Sequence, residues 1–450
     1  MRPVAALLAS LSAALAVCAS EPPLALDQAV ALALGRSKEA KLAQLRVSAA
    51  HASADAALDS RYPRVDAFGL SSYFSEPIDL KVREGALTPL LDGLGDRLGL
   101  GSLSAAGPFP PSDLTLVHGD YLESIGGVSM LQPLTQLWRI ESGVRAARAD
   151  LTGAQRGAAR AALQIRVAVE QLYAGLLLEG RHRALCEARA AQAERRLKDA
   201  ENAQRLGELL DDSVLGLRAE LIEARSDLTR SEQQRARLTL RLADLIGRPG
   251  TTELALALEL PEREAHPLEY WLEKVGQNPD RQVAAAVAEK AEVGVSAAKL
   301  ARVPEVSAFL TGYAQDGMPL VPDRGAAVGL TLHWNVFDFG RTKSEIARSL
   351  AEQRLAETNR DRLEEEASRE IRETYQDYLH GGELVALAEQ AVAYRARASE
   401  LARQNASTGL ALEAKALAAE ADLRKAEYDL AGARIERHLA LLNLYSLIGE

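Results

Sequence analysis

Residues 213–247 read SVLGLRAELIEARSDLTRSEQQRARLTLRLADLIG. Within them Val214, Leu217, Leu221, Ala224, Leu228, Ser231, Arg235, Leu238, Leu242 and Leu245 alternate steps of three and four. That is a heptad seam over four repeats, the pattern by which helices pack side by side. The seam returns 202 positions later as Ala416, Ala419, Leu423, Ala426, Leu430, Ala433, Arg437, Ala440, Leu444 and Leu447. Even the Arg inside the first seam has its counterpart in the second. The small residues at these positions let neighbouring helices approach closely.

The seam is one part of a duplication of the whole chain. Ser37-Lys38-Glu39 aligns with Asn278-Pro279-Asp280, Arg61-Tyr62-Pro63-Arg64-Val65 with Arg302-Val303-Pro304-Glu305-Val306, and Leu245-Ile246-Gly247 with Leu447-Ile448-Gly449. The first copy spans 21–249 and the second 268–450, with 250–267 as a Pro-containing linker at the equator. Proline is absent from Leu134 to Arg248 and from Asp323 to Glu450, windows of 115 and 128 residues, which permits long helices. In the first copy, Leu26–Tyr62 and Leu210–Ile246 are expected as two short helices of 37 residues each. End to end they match one long helix expected over Gln132–Leu206. The second copy repeats this with Leu268–Val303, Leu410–Ile448 and Phe337–Ser407. Each copy is therefore expected to be one long helix beside two stacked short ones.

All six Phe lie outside the seams, between Phe68 and Phe109 or between Phe309 and Phe339. Those regions read as strands. Val328, Leu330, Leu332, Trp334 and Val336 alternate with Gly329, Thr331, His333 and Asn335, the period-two signature of a strand with one apolar and one polar face. Strands are expected at about 65–75, 121–131, 306–313 and 326–336, each near the ten residues of a tilted membrane strand. Between the first two, 75–123 is rich in Gly, Pro, Leu and Asp and reads as a long loop. Four strands cannot close a barrel, since small closed barrels need about eight, and open edges are not tolerated in lipid. A membrane reading requires several chains to share one barrel, and three would supply twelve strands. Trp334, Phe337 and Phe339 fit either core packing or an aromatic girdle at a lipid interface.

The first 20 residues read as a signal peptide: Arg2, an apolar run from Val4 to Val17, then the small residues Cys18, Ala19 and Ser20. Leu15-Ala16-Val17-Cys18 also resembles a lipoprotein signal ending in a lipidated Cys18, although Val17 is bulkier than the residue usual before that Cys. No later segment reads as a membrane helix, because Gln164, Arg166, Glu170 and Gln171 interrupt the most apolar one. The net charge of −10 argues against a nucleic-acid partner. No constellation supports catalysis, so the chain reads as a non-enzyme without cofactor or metal. The seven His are scattered, and His182 with Cys186, one helical turn apart, reads as ordinary packing before metal ligation.

Taken together these residues resemble the TolC family of outer-membrane efflux proteins, over Leu24 to Gly449. The resemblance is carried by Leu26-Asp27-Gln28-Ala29 before a helix, by the Arg/Pro/Val approach to the first strand of each copy, and by Gln132-Pro133-Leu134 after the second strand. A Gly at each helical tip and Leu-Ile-Gly closing each copy complete it. It implies a mainly α chain with a β-barrel part. Three copies would form a homotrimer, a twelve-stranded barrel in the outer-membrane lipid continued by a twelve-helix α-barrel through the periplasm. It also implies a periplasmic adaptor (membrane fusion protein) and an inner-membrane pump as partners, in a tripartite efflux or type I secretion system. The adaptor would dock at the tips, Gly207, Glu208 and Leu209 in the first copy and Gly409, Leu410 and Ala411 in the second. Some members line the closed entrance with Asp after the second tip. Here Lys415 stands at one of those positions, and Asp211 and Asp212 of the first tip offer acidic groups instead. A soluble periplasmic coiled-coil adaptor is the alternative, but adaptors carry one hairpin between β domains rather than two tandem copies.

Overall fold

The computed structural model describes residues 23–450 apart from 103, 104, 106, 251–253, 258, 259, 319 and 411; the expected signal peptide, Cys18 and Ala411 lie outside the described residues. The elements run α1 (Leu26–Arg36), α2 (Lys38–Asp59), β1 (Arg64–Tyr73), β2 (Leu80–Val82), α3 (Thr88–Arg97), β3 (Leu114–Val117), β4 (Leu122–Pro133), α4 (Leu137–Arg205) and α5 (Asp211–Leu245). They continue with α6 (Leu268–Glu273), a 3₁₀ turn (Val275–Gln277), α7 (Pro279–Leu300), β5 (Glu305–Asp316), β6 (Arg324–His333), α8 (Arg341–Ser407) and α9 (Glu413–Leu447). The duplication is visible element by element. The 22 residues of α2 return as the 22 of α7, and the 35 of α5 as the 35 of α9. The long helices hold 69 and 67 residues, about 100 Å each at 1.5 Å per residue.

The expected first short helix of each copy is in fact two segments. The break falls at Ser37 and at Asn278, the positions aligned in the repeat. Ser37 takes extended dihedrals, and its Oγ accepts the Ala40 N–H at 3.1 Å. Asn278 Oδ1 accepts the Arg281 N–H at 3.0 Å, and its Nδ2 donates to the Leu447 carbonyl at 3.0 Å. A capping side chain competes with the helix backbone for its own hydrogen bonds, which ends one helix and starts the next. The closing Gly of each copy seats beside its break. A Cβ on Gly247 would lie 2.7 Å from Arg36 Cβ, and one on Gly449 would lie 3.1 Å from the Gln277 carbonyl oxygen. Both glycines have positive φ, 72° and 83°.

The chain divides into two compact units. The helical unit takes the described residues up to Ala50 together with Asp150–Ala288 and Leu355–Glu450. It holds two cores at repeat-related positions. In one, Leu26, Ala29, Val30 and Ala33 of α1 meet Ile165, Val169, Tyr173 and Leu176 of α4 and Leu242 with Ile246 at the end of α5. In the other, Trp271 of α6 meets Ile371 of α8 and Leu441, Leu444 and Ile448 at the end of α9. Trp271 replaces Val30, and its indole N–H donates to the His266 carbonyl at 3.0 Å. Large apolar side chains that are fully buried here, such as Leu242, Ile246, Ile371 and Leu444, stabilise by about 1.5–3 kcal/mol each. Contrary to the expectation from sequence, α4 contains a window long and apolar enough for a membrane span. The window belongs to the helix that supplies Ile165, Val169, Tyr173 and Leu176 to the first core. Between the cores, buried Glu170 of α4 accepts from Arg263 of the linker at 2.5 Å and lies 3.4 Å from His438 of α9. The seam residue Arg437 has no acidic partner among the described residues. It donates to the Tyr378 hydroxyl at 2.9 Å and lies over that ring.

The second unit, His51–Ala149 with Glu289–Arg354, holds the sheet. Its four strands are antiparallel in the order β1-β4-β5-β6, so β1 and β6 are its edges. The segment expected to be an irregular loop carries regular structure: β2 pairs with β3 and α3 sits between them. Leu114-Thr115-Leu116-Val117 alternates as a strand does, and Pro89 at the first turn of α3 fits a helix start.

Two substitutions test this account. Gly449→Ala is expected to lower stability to thermal or denaturant unfolding by about 1–2 kcal/mol, the cost of a side chain in the left-handed region. Gly432→Ala, in α9 with its nearest neighbour at 4.0 Å, is expected to be neutral or slightly stabilising, as Ala is the better helix former. The second test addresses the sheet. A Cβ on Gly329 would lie 2.8 Å from the Phe309 ring on the neighbouring strand. Gly329→Ala is expected to reduce the yield of folded protein, and adding Phe309→Leu to restore part of it.

Candidate functional site

Two regions carry features that a helical core does not require: the sheet, and the two turns that join long helix to short.

In the sheet, side chains alternate between faces and the register fixes which of them share one. One face carries Val65 and Ala67 of β1, Val128 and Met130 of β4, Val306, Ala308 and Leu310 of β5, and Val328, Leu330 and Leu332 of β6, with Ser71, Ser124, Asp316 and Arg324 at its free end and Gln132 at the helix-joined end. Trp334 follows β6 in the same alternation. The other face carries Asp66, Glu123, Ser129, Glu305, Ser307, Thr311, Gln315, Thr331 and His333 among a few larger apolar groups. Burial runs opposite to that of a sheet in water. On the apolar face Val328 is 82% exposed, Leu330 and Leu332 68% and Val65 62%. On the polar face Ser307 is 5% exposed, Glu123 6% and Gln315 8%.

Aromatic rings on the polar face lie across glycines of the neighbouring strand. Phe68 covers Gly127, Phe309 covers Gly329 and Tyr313 covers Gly325, each pair directly opposite in register. In the sequence Phe68 and Phe309 mark only the strand regions; their glycines become visible once the register is known. The ends of the apolar face are aromatic. Tyr73 stacks on Tyr121 at the free end, with ring centroids 6.1 Å apart. At the helix-joined end Tyr62, Trp138, Trp334, Phe337 and Phe339 are all exposed, which rules out core packing for the last three.

The junction of strands and helices is closed by polar contacts. Arg61 pairs with Glu141, and Arg139 with Glu305. The Thr135 hydroxyl donates to the Pro304 carbonyl at 2.6 Å and accepts the Val306 N–H at 2.8 Å. Asp338 receives the Thr342 hydroxyl and the Thr342 and Gly340 N–H groups at the start of α8. The hydrogen bond from the Thr342 hydroxyl, foremost, holds its carboxyl below the usual carboxylate range.

The two tip turns share one geometry. Glu208 N–H donates to the Ala203 carbonyl and Leu410 N–H to the Asn405 carbonyl, each at 2.9 Å, around Gly207 at φ 79° and Gly409 at φ 74°. This is the Schellman closure of a helix C-terminus, where Gly supplies the left-handed residue. Leu206 and Leu210 at the first tip, and Leu410 and Leu412 at the second, are exposed. Asp211 and Asp212 are exposed in the first turn of α5, where the helix dipole favours them. Asp212 Oδ1 accepts the Ser213 N–H at 2.7 Å, but neither Asp stands at the position before the helix. The residue before the helix is Leu210, which has no side-chain acceptor, and Asp211 accepts from Gln204 at 2.6 Å instead. Lys415 is exposed in the first turn of α9. The copies are tied near their tips by Arg195 of α4, whose Nη1 lies 2.6 Å from Glu413 Oε2 at the start of α9. Nothing in the local sequence marks Arg195 for that role.

Among the described residues no group of three or more His, Cys, Asp and Glu is placed to hold a metal ion. Cys186 is buried 3.8 Å from His182, whose ring tilts against Tyr428, and burial pushes its thiol pKa up.

Comparison with known proteins bears on this arrangement. Residues 273–450 match the family model described as outer membrane efflux protein. A sequence comparison with curated proteins returned no match. Among solved structures, the chain is similar to the outer membrane protein VceC of Vibrio cholerae, with 18% identity, 94% of this chain and 96% of that one covered, and a TM-score of 0.70. It is similar to the CmeC outer membrane channel of Campylobacter jejuni, with 15% identity, 94% and 85% covered, and a TM-score of 0.71. It is similar also to the open state of the MtrE outer membrane channel of Neisseria gonorrhoeae, with 17% identity, 94% and 88% covered, and a TM-score of 0.66. The chain is built on the fold of these outer-membrane channels, and its residues 273–450 match the outer membrane efflux protein family.

Proposed function

We propose that this chain is one protomer of an outer-membrane efflux channel, the passive exit duct of a tripartite efflux or type I secretion system. The observation that carries the reading is the inverted sheet, whose bare face is apolar and whose sheltered face is polar. In water the exposed Val328, Leu330, Leu332 and Val65 side chains would be unfavourable, at about 25 cal/mol per Å² of apolar surface; in lipid they are at home. The aromatic residues at both ends of that face suit the two membrane interfaces. The edge strands β1 and β6 then need partners, because unpaired backbone groups in hydrocarbon cost several kcal/mol each. A homotrimer with a twelve-stranded barrel supplies them, the edge of one copy pairing with that of the next. Its polar face lines the lumen, and the helices form the periplasmic tunnel.

In this reading the tips are where a periplasmic adaptor docks, through Gly207, Glu208 and Leu209 and through Gly409, Leu410 and Ala411. Asp211, Asp212 and Lys415 line the entrance, and Cys18 is a lipid anchor if it survives processing. Energy comes from the inner-membrane pump. The soluble adaptor reading is disfavoured, because a soluble protein would cover the apolar face of its sheet.

The test is the mass of the detergent-extracted protein from separated membranes. About three chains per particle in the outer-membrane fraction is the expected result, and a monomer soluble without detergent would overturn it. At the tips, Leu410→Asp introduces a charge into an exposed apolar turn. It is expected to lower co-purification of the cognate adaptor at least tenfold while leaving the oligomer mass unchanged.

A further inference from the structure

The segment between β1 and β4 is the part of the chain that the duplication lacks in its second copy. It is ordered at its base. Phe74 N–H donates to the Tyr121 carbonyl at 2.8 Å, and Asp120 N–H to the Gly317 carbonyl at 3.2 Å. Asp79 receives Lys81 at 3.0 Å and the Gly119 N–H at 3.2 Å, and lies 2.7 Å from His118. The hydrogen bond from Lys81, foremost, holds the Asp79 carboxyl below its ordinary range. Above this base the module exposes apolar side chains: Leu90 and Leu94 one turn apart on α3, Leu98 just after its end, and Leu100, Leu114 and Leu116. Exposed leucines this frequent on an ordered module exceed the scattered single apolar groups of an ordinary surface and point to an interaction site.

Where the module stands says what covers it. It rises from the free end of β1, an edge strand whose partner must come from outside the chain. The other edge, β6, begins at that same free end, after the turn 317–323. Leu320 in that turn is 74% exposed and held at φ 66°, a left-handed conformation that costs a non-glycine residue about 1–2 kcal/mol. Val321 beside it is also exposed. When β1 of one copy pairs with β6 of the next, module and turn become neighbours. Residues 76–120 hold seven acids and three bases. The same acidic balance disfavours docking on the anionic headgroups of a lipid surface.

We infer that the 74–121 module docks on a second copy of this chain. The leucine face of α3 seats on the adjoining copy's Leu320–Val321 turn. This forms an apolar collar across each copy boundary at the free end of the barrel. The inference rests on the oligomeric channel reading above.

The experiment uses the full chain with Cys186→Ser and the paired substitutions Leu94→Cys and Leu320→Cys, oxidised in membranes and run on denaturing gels. Cross-linked dimers and trimers that require both cysteines are expected. Leu94→Asp should lower the temperature at which the detergent-extracted oligomer dissociates, and Leu90→Ser gives a milder version should the first fail to fold. A cross-link that runs at monomer mass would overturn the inference by placing the contact inside one chain. So would a probe on Leu94→Cys quenched by spin-labelled phosphatidylcholine in vesicles of neutral lipid, which would assign the face to the membrane. An intact oligomer whose dissociation Leu94→Asp leaves unchanged, without cross-links, would overturn it while the channel reading stands. Absence of any oligomer would sink the channel reading itself.

Discussion

The hydrogen-bonding demand of two sheet edges governs this molecule. Residues Arg64–Tyr73 and Arg324–His333 each have a neighbour on one side only. One face of the sheet they bound is bare and apolar. In water such an edge would be a template for aggregation; in hydrocarbon it would be untenable. Both difficulties disappear when edges of different copies pair and the apolar face meets lipid. The proposed function follows from that constraint more than from any single residue.

The helical unit meets a different requirement by duplication. Each copy builds one core where a broken short helix, a long helix and a Gly-terminated helix meet, and the break and the Gly fit together. Ser37 and Asn278 interrupt the helix by capping it, and Gly247 and Gly449 end their helices where a Cβ would collide with the residue before the cap. The copies then diverge. Trp271 stands where the first has Val30, and Glu170 in the first reaches the linker and His438 of the second. At the tips the closure is the same but the chemistry differs, with Glu208, Asp211 and Asp212 on one turn against Ser407, Thr408 and Lys415 on the other. If the tips dock a partner as proposed, two turns of equal shape and unequal charge would distinguish its parts.

The sequence by itself determined the periodic features. Heptad seams at 214–245 and 416–447, the proline-free windows and the alternation at 328–336 are properties of spacing, and spacing dictates helix or strand before any tertiary contact forms. The tip glycines were legible for the same reason: only Gly takes positive φ cheaply at a Schellman closure. Only the tertiary structure decided what depends on pairing across the chain. Register sets which face is apolar, because a shift of one residue moves every side chain to the other side. The aromatic–glycine contacts of Phe68 with Gly127 and Phe309 with Gly329 join distant residues, so no local pattern announces them. Ser37 and Asn278 read as ordinary helix residues until the packed Gly beside each showed why a break there is favourable. Residues 75–123 looked irregular because their order comes from contacts at the base, through Asp79 and Gly317, rather than from long runs of one period. That Val328, Leu330 and Leu332 lie on the bare face was visible only in three dimensions, since alternation alone fixes two faces and does not say which one is covered.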